Sequence, residues 1–143
     1  MNAPATKLRA AHRAIRIAGN GEPSIAGYRC QACGYANTDS TTCCRACTSR
    51  EKPQEFTSSL KGKLYTWTVV ERSYPGTKVP FVSAIVDMED GLTLKGTLVI
   101  DHPSALAQGL PVRLAFDDAG GLVGPDQEAY VGFHFIPQEE EVR

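Results

Sequence analysis

The sequence lacks the features that mark membrane and secreted proteins. No run of about 18 apolar residues, the length that spans a bilayer as a helix, occurs in its 143 residues. The N-terminal stretch, MNAPATKLRAAHRAIRIAGNGE, contains no apolar signal core. We therefore expect a soluble, cytoplasmic protein that has no membrane partner.

Signatures of catalysis are missing as well. The sequence contains no G-x-S-x-G elbow, no H-E-x-x-H pair and no G-x-x-x-x-G-K-[ST] phosphate loop. The histidines, His12, His102 and His134, are scattered, and we interpret each as a surface or strand residue. The carboxylates Asp117 and Asp118 fall at a strand end, where acidic residues are common for conformational reasons. These patterns predict a chain that is not catalytic alone.

Strong charge of either sign is also absent. The formal net charge is -1 and the estimated pI is 6.3, so the molecule has no overall positive field to attract nucleic acid. A chain of this length, with 42% hydrophobic residues, can bury one modest core and a small satellite. We expect one barrel-sized unit with an appendage, and the charge disfavours nucleic acid as a ligand.

The cysteines are what the sequence has in abundance. All five lie within residues 30–47, and two C-x-x-C pairs stand out, Cys30 with Cys33 and Cys44 with Cys47. An odd, clustered set in a chain without a signal segment favours a metal over disulfides. A tetrahedral ion takes two thiolates from each tight turn, so the two pairs complete four-coordination.

Four protein thiolates leave no coordination position for water or substrate, so the predicted metal is structural zinc. Gly34 occupies the position where such a knuckle usually requires positive φ, whereas Thr48 takes the equivalent place in the second turn and weakens that match. Cys43 is interpreted as a neighbour of the metal rather than a ligand. A rubredoxin-like iron centre that transfers electrons uses the same four sulfurs and stays open as an alternative.

The predicted architecture is mainly β. Residues 5–17 have the spacing of a short amphipathic helix, and Gly19, Gly21 and Pro23 interrupt it. Five segments with strand composition or alternation follow the cysteines, at 64–70, 81–88, 92–98, 112–116 and 130–136, with one helical turn between the third and the fourth. That count suits a five-stranded OB-fold barrel. The predicted divisions are an N-terminal helix and hinge at 1–22, a rubredoxin-like zinc ribbon at 23–56, the barrel at 57–137 and an acidic tail at 138–143.

The order of these elements resembles a known family. The matching segments are YRCQACG at 28–34, CRAC at 44–47, GKLYTWTVV at 62–70, PFVSAIV at 80–86, GLPV at 109–112 and FIP at 135–137. They are similar to the acyl-CoA-associated zinc-ribbon/OB-fold family, long catalogued as a domain of unknown function. The resemblance implies a non-catalytic accessory subunit that forms a hetero-oligomer with a thiolase-fold enzyme, such as a thiolase, an aldolase or an acyltransferase. It also implies that the subunit helps to enclose a CoA thioester.

One departure from the family pattern concerns the second knuckle. The family commonly has C-P-x-C-G there, whereas this sequence has Arg45 in place of the proline. We therefore hypothesise that Arg45, with Arg50 or Lys52, contacts a CoA phosphate or an acidic partner surface.

A nucleic-acid-binding protein is the alternative from another class, because OB barrels and zinc ribbons both serve that role. Tyr65, Trp67 and Phe81 would then be the stacking platforms, although Trp67 also suits a core or interface position.

Overall fold

The computed structural model of this chain describes residues 8–125 and 127–138 and contains ten β-strands. The acidic tail predicted at 138–143 lies outside the described residues apart from Gln138, as do residues 5–7 of the predicted N-terminal helix. Among the described residues the helices are two short 3-10 turns, Pro103–Ala105 and Ala119–Gly121. No helix in this part of the chain is long and apolar enough to cross a membrane.

The C-terminal half forms a five-stranded barrel, as predicted, and pairing of its first and fourth strands closes it. Strands rich in β-branched and aromatic residues alternate with tight turns. Neighbouring strands pair antiparallel, except that β8 (Thr93–Leu98) and β10 (Ala129–Pro137) pair in parallel. The order around the barrel is β6-β7-β8-β10-β9, and β9 pairs with β6 to close it. This is the OB-fold architecture. Its strands are β6 (Lys61–Val70), β7 (Phe81–Met88), β8 (Thr93–Leu98), β9 (Pro111–Asp117) and β10 (Ala129–Pro137).

A smaller sheet carries the cysteines. Its central strand is β3 (Pro23–Arg29), which ends immediately before Cys30. It pairs antiparallel with β2 (Ile15–Ile17), β4 (Ala36–Asn37) and β5 (Gln54–Thr57). The first C-x-x-C turn therefore lies between β3 and β4, and the second lies in the connection between β4 and β5.

One apolar core joins the two sheets. Inside the barrel, side chains that point inward from every strand are almost fully buried, and Phe135 has no exposed surface. Ile25 of β3 and Leu92 of the β7–β8 turn continue this cluster to the base of the small sheet. The barrel therefore packs against the cysteine-bearing sheet by direct apolar contact.

The predicted N-terminal helix is wrong over the residues that the structure describes. Residues 8–17 form two short strands, β1 (Leu8–Ala10) and β2, joined by a turn. β1 pairs in parallel with β10 of the barrel, and β2 pairs with β3. A helix this short is marginal on its own, whereas two sheet edges offer backbone partners here. This arrangement also buries Ala14 of the turn and Ile15 of β2, which are 1% and 3% exposed.

Candidate metal centre

The two C-x-x-C turns have the same backbone hydrogen bonds. In the first, the Gly34 N–H donates to the Cys30 carbonyl at 2.9 Å, and the Cys30 N–H donates to the Tyr35 carbonyl at 2.8 Å. In the second, Thr48 donates to Cys44 and Cys44 donates to Ser49 at the same two distances. Each pair thus forms a closed loop that holds its two sulfur atoms on one side.

The four predicted sulfur atoms lie together. Cys30 Sγ is 3.6 Å from Cys47 Sγ, and Cys33 Sγ is 3.7 Å from Cys44 Sγ. All four lie within 4.8 Å of one another. Sulfur atoms bound at about 2.3 Å to a tetrahedral ion are about 3.8 Å apart, so the cluster has the size that such an ion requires. Four cysteines in this arrangement could bind a metal such as zinc.

Backbone N–H groups point at the sulfur atoms, as thiolate ligands require. Cys30 Sγ accepts from the Ala32 N–H at 3.4 Å, and Cys44 Sγ accepts from the Ala46 N–H at 3.3 Å. The Tyr35 N–H lies 3.5 Å from Cys33 Sγ. These donors offset part of the negative charge that four thiolates bring to one place.

The electrostatics of the cluster favour a cation at its centre. The backbone N–H groups of Cys47 and Ala46 lower the pKa of Cys44 to about 6. The Ser49 N–H acts to lower the pKa of Cys47, but desolvation and the three neighbouring sulfur atoms outweigh it and raise that pKa to about 12. Without a cation the cluster therefore ionises only in part at neutral pH. A divalent ion held by Cys30, Cys33, Cys44 and Cys47 would offset this repulsion and favour the thiolate form of all four.

Thr48 adopts the conformation that was expected of a glycine. Its φ is 65°, close to the 84° of Gly34 in the first turn. A β-branched residue is strained in this left-handed region. The second turn therefore forms despite its sequence, and the fold imposes the geometry on Thr48.

The other residues predicted for this region do not belong to the cluster of four sulfur atoms. Cys43 is exposed and is not among the four clustered sulfur atoms. Arg45 forms an ion pair with Asp39 at 3.0 Å, and Asp39 also pairs with Arg13 from the β1–β2 turn. Arg50 and Lys52 are exposed. The Lys52 carbonyl accepts a hydrogen bond of 2.7 Å from Gln31 between the first two cysteines.

Arg29 connects the cysteine turns to the barrel. Its guanidinium donates to the Gly34 carbonyl at 3.1 Å and to the Asp90 carbonyl at 2.6 Å, in the turn between β7 and β8. The same group lies 4.7 Å above the ring of Phe56. One side chain thus fixes the first knuckle relative to the barrel turn beneath it.

The sequence analysis missed a second group of polar side chains. His134 Nδ1 lies 2.6 Å from Asp117 Oδ2, across the antiparallel pair of β9 and β10. The sequence analysis had interpreted His134 as a surface or strand residue and Asp117 as a conformational residue at a strand end, with no link between them. The available signal was the chain connection: two consecutive strands with a turn between them pair antiparallel, which places residues near the turn opposite each other.

The fold and the cysteine cluster together define a protein built from a four-cysteine ribbon on an OB-fold barrel. A family model described as "ChsH2, C-terminal OB-fold domain" matches residues 56–117. A DUF35 domain-containing scaffold protein of Methanocaldococcus jannaschii is 31% identical over 121 residues, which cover 80% of this chain and 82% of that protein. The chain belongs to the DUF35 family.

Other relatives agree with this assignment. A DUF35 domain-containing scaffold protein of Methanothermobacter thermautotrophicus is 27% identical and covers 80% of this chain and 87% of its own length. The 3-oxo-4,17-pregnadiene-20-carboxyl-CoA hydratase alpha subunit of Mycobacterium tuberculosis is 37% identical over 62 residues, which are 43% of this chain and 20% of that subunit. The solved structure of an Ltp2-ChsH2(DUF35) aldolase contains a similar chain, with a TM-score of 0.62, 25% identity and coverage of 80% and 84%.

Proposed function

We propose that this chain is a non-catalytic accessory subunit of an acyl-CoA enzyme complex, in which a thiolase-fold partner makes or breaks a carbon–carbon bond. The observation that carries the proposal is its similarity, over four fifths of the chain, to DUF35 scaffold proteins and to a chain of the Ltp2-ChsH2(DUF35) aldolase structure. One relative is a subunit of an enzyme named for a CoA thioester. Reaction type and substrate belong to the partner in this proposal.

The cysteine cluster supports a structural role for the metal, which we propose to be zinc. Four sulfur atoms within 4.8 Å of one another supply every ligand of a tetrahedral ion. A catalytic zinc keeps one position for water or substrate, and the four thiolates would fill that position. The ion would therefore stabilise the ribbon and leave the chemistry to the partner.

The barrel end near the β6–β7 connection is the surface that we propose for the partner. Tyr74 is 85% exposed, and Val69 and Val79 beside this connection are 47% and 38% exposed. Large apolar and aromatic side chains at such exposure suit a protein interface, where tyrosine is enriched. A thiolase-fold catalytic subunit is the proposed occupant, since the related ChsH2 chain occurs in an aldolase structure with Ltp2.

The cations near the second knuckle are proposed to bind the phosphates of CoA. Arg50 and Lys52 are exposed. Arg45 is held by Asp39 at 3.0 Å. A charge-assisted hydrogen bond from such a group recognises a phosphate oxygen. Arg50→Ala is the cleaner test, because Arg45→Ala also removes a partner of Asp39.

Co-purification from the native host tests the accessory role. Tagged chain is expected to recover a thiolase-sized polypeptide, and the recovered complex, not the chain alone, should turn over an acyl-CoA. Tyr74→Ser should reduce recovery of that polypeptide, whereas Leu122→Ser, a matched exposed apolar position at 57%, should not. Salt-sensitive binding to single-stranded nucleic acid with no recovered partner would contradict the proposal.

The identity of the metal and of the complex can be tested on the same material. Colourless protein that contains zinc supports the structural role, whereas iron with a visible charge-transfer band supports electron transfer. Within the family, the chain resembles in size and plan the small subunit of benzoylsuccinyl-CoA thiolase, from the anaerobic degradation of aromatic compounds. Turnover of benzoylsuccinyl-CoA by the recovered complex would support this assignment, and its absence with activity on another acyl-CoA would reject it.

A further inference from the structure

A groove on the barrel brings together polar groups that the accessory role does not use. It lies between β8 and β10 and has a volume of about 480 Å³, within the range of small-molecule sites. We call it the His134 groove. The groups that line it and that can form hydrogen bonds or ion pairs are His12, Lys95, Thr97, Asp117 and His134, and Phe133 and Val99 supply apolar surface.

Each oxygen of the Asp117 carboxylate in this groove has a partner within the protein. Its Oδ1 accepts a hydrogen bond of 2.8 Å from the Ala119 N–H, and its Oδ2 lies 2.6 Å from His134 Nδ1. The site depends on Gly132, because a Cβ there would lie 2.8 Å from Asp117 Oδ1. Ala119 has a φ of 55°, which is unusual for a residue with a side chain. The backbone is thus arranged around this carboxylate.

These contacts fix the tautomers of the two imidazoles. A carboxylate only accepts hydrogen bonds, so Nδ1 of His134 carries the proton, and in the neutral ring Nε2 is then an acceptor. In His12, Nδ1 accepts from the Ala14 N–H at 3.0 Å, so the proton is on Nε2. Burial, together with Arg13, lowers the pKa of His12 and keeps this ring neutral. The His12 ring also contacts Phe133 edge-on at 5.4 Å.

The remaining hydrogen-bonding capacity of the groove is dominated by donors. Lys95 is exposed, and no described carboxylate pairs with it. His12 offers Nε2–H, and Thr97 offers its hydroxyl. The Asp117 carboxylate accepts from two donors of the protein. A ligand that complements Lys95, His12 and Thr97 accepts hydrogen bonds and carries negative charge.

We propose that the His134 groove binds the oxyanion of a small ligand, a carboxylate or a phosphate, through Lys95, His12 and Thr97. The paired side chains of Asp117 and His134 line the groove beside the ligand and donate no hydrogen bond to it. The site is separate from the cysteine cluster and does not depend on the identity of the metal. If the site binds such a ligand, the barrel recognises a small molecule in addition to contacting the proposed partner.

The test uses the full chain and simple anions as probes. Imidazole nitrogen resonances of His12 and His134 are followed by NMR while sodium phosphate or sodium acetate is added at constant ionic strength with sodium chloride. We expect a saturable shift of both rings with at least one probe. Saturation with phosphate alone assigns a phosphoryl ligand, and saturation with acetate alone assigns a carboxylate; either result supports the site.

Substitutions separate this site from general surface charge. Lys95→Met should weaken binding of the probe about tenfold or more, the loss expected for one charge-assisted hydrogen bond. Lys63→Met removes an exposed lysine outside the groove and should leave binding unchanged. Lys95→Arg should retain most of the affinity. Shifts that chloride reproduces, or equal affinity in Lys95→Met and the unsubstituted chain, would overturn the proposal.

Discussion

The ribbon and the barrel reach their structures by different physical means. In the barrel, Leu64, Leu98 and Phe135 are at most 2% exposed and belong to one apolar cluster. Across residues 30–53, all of them described, only Cys30 and Ala36 are buried. A segment that buries so little apolar surface cannot offset the entropy of ordering its chain. The comparison teaches that the ribbon needs a cross-link, such as a metal ion on its four cysteines, whereas the barrel has its apolar core.

Removing a ligand should have the largest effect, and it should be confined to one region. Cys44→Ser leaves three sulfur atoms, so we expect loss of stoichiometric metal and of amide protection throughout the second turn, while the barrel keeps its protected amides. Hydrogen exchange with metal analysis measures both. Cys43→Ser is the control, because that exposed thiol is outside the cluster. Loss of barrel protection in Cys44→Ser would contradict the division into two regions.

Removing a core side chain should destabilise the barrel and leave metal binding unchanged. Phe135→Ala empties a fully buried position in the barrel, and the free energy of unfolding should fall by about 3–5 kcal/mol. Phe135 belongs to a barrel strand and to neither cysteine turn, so metal stoichiometry should stay at the level of the unsubstituted chain. Denaturant titration and metal analysis of the folded protein are the measurements. A stability change below about 1 kcal/mol would show that the barrel core matters less than its burial indicates.

A smaller effect is expected where the two regions meet. Arg29→Ala removes two hydrogen bonds, to Gly34 and Asp90, and the contact with Phe56. We expect a loss of about 2 kcal/mol, since bonds from a charged donor are stronger than neutral ones. The loss should appear as faster metal release to a chelator, with the barrel little affected. Arg29→Lys keeps the charge but cannot form both guanidinium hydrogen bonds. An unchanged rate of metal release in Arg29→Ala and in Arg29→Lys would contradict the proposed coupling between the two regions.

The smallest effect concerns backbone strain in the second turn. Thr48→Gly should stabilise the metal-bound ribbon by about 1 kcal/mol, because glycine tolerates the φ of 65°. Gly34→Ala, at the equivalent position with a φ of 84°, should destabilise it by a similar amount. The measurement is the chelator concentration at which each variant has released half of its metal. The two substitutions should change the stability of the metal-bound ribbon in opposite directions. A change in the same direction would contradict the strain argument.

The barrel was largely predictable from the sequence. Strand alternation and turn residues located all five strands to within a few residues, because each strand has one face in the core and one in solvent. The strand order was not predictable, since period-two alternation identifies a strand but not its neighbour. The cysteine spacing likewise identified the four clustered sulfur atoms, because a C-x-x-C turn fixes both thiols locally.

Three features depended on tertiary contacts and were not predicted. The helical spacing of residues 8–17 was overridden by the edges of β3 and β10. Thr48 adopts positive φ because hydrogen bonds on both sides of the turn impose it. His134 and Asp117 are 17 residues apart and meet through the register of β9 and β10, in which Gly132 lies opposite Asp117. Local sequence patterns contain none of this information.

X-ray absorption at the metal edge tests the account most directly. We predict one ion per chain, surrounded by four sulfur atoms at about 2.3 Å and by no oxygen or nitrogen. That shell leaves no position for a substrate, and the isolated chain should not turn over an acyl-CoA. A shell of three sulfur atoms and one lighter atom, or a fully folded ribbon with no metal, would contradict the claim that the ion is structural.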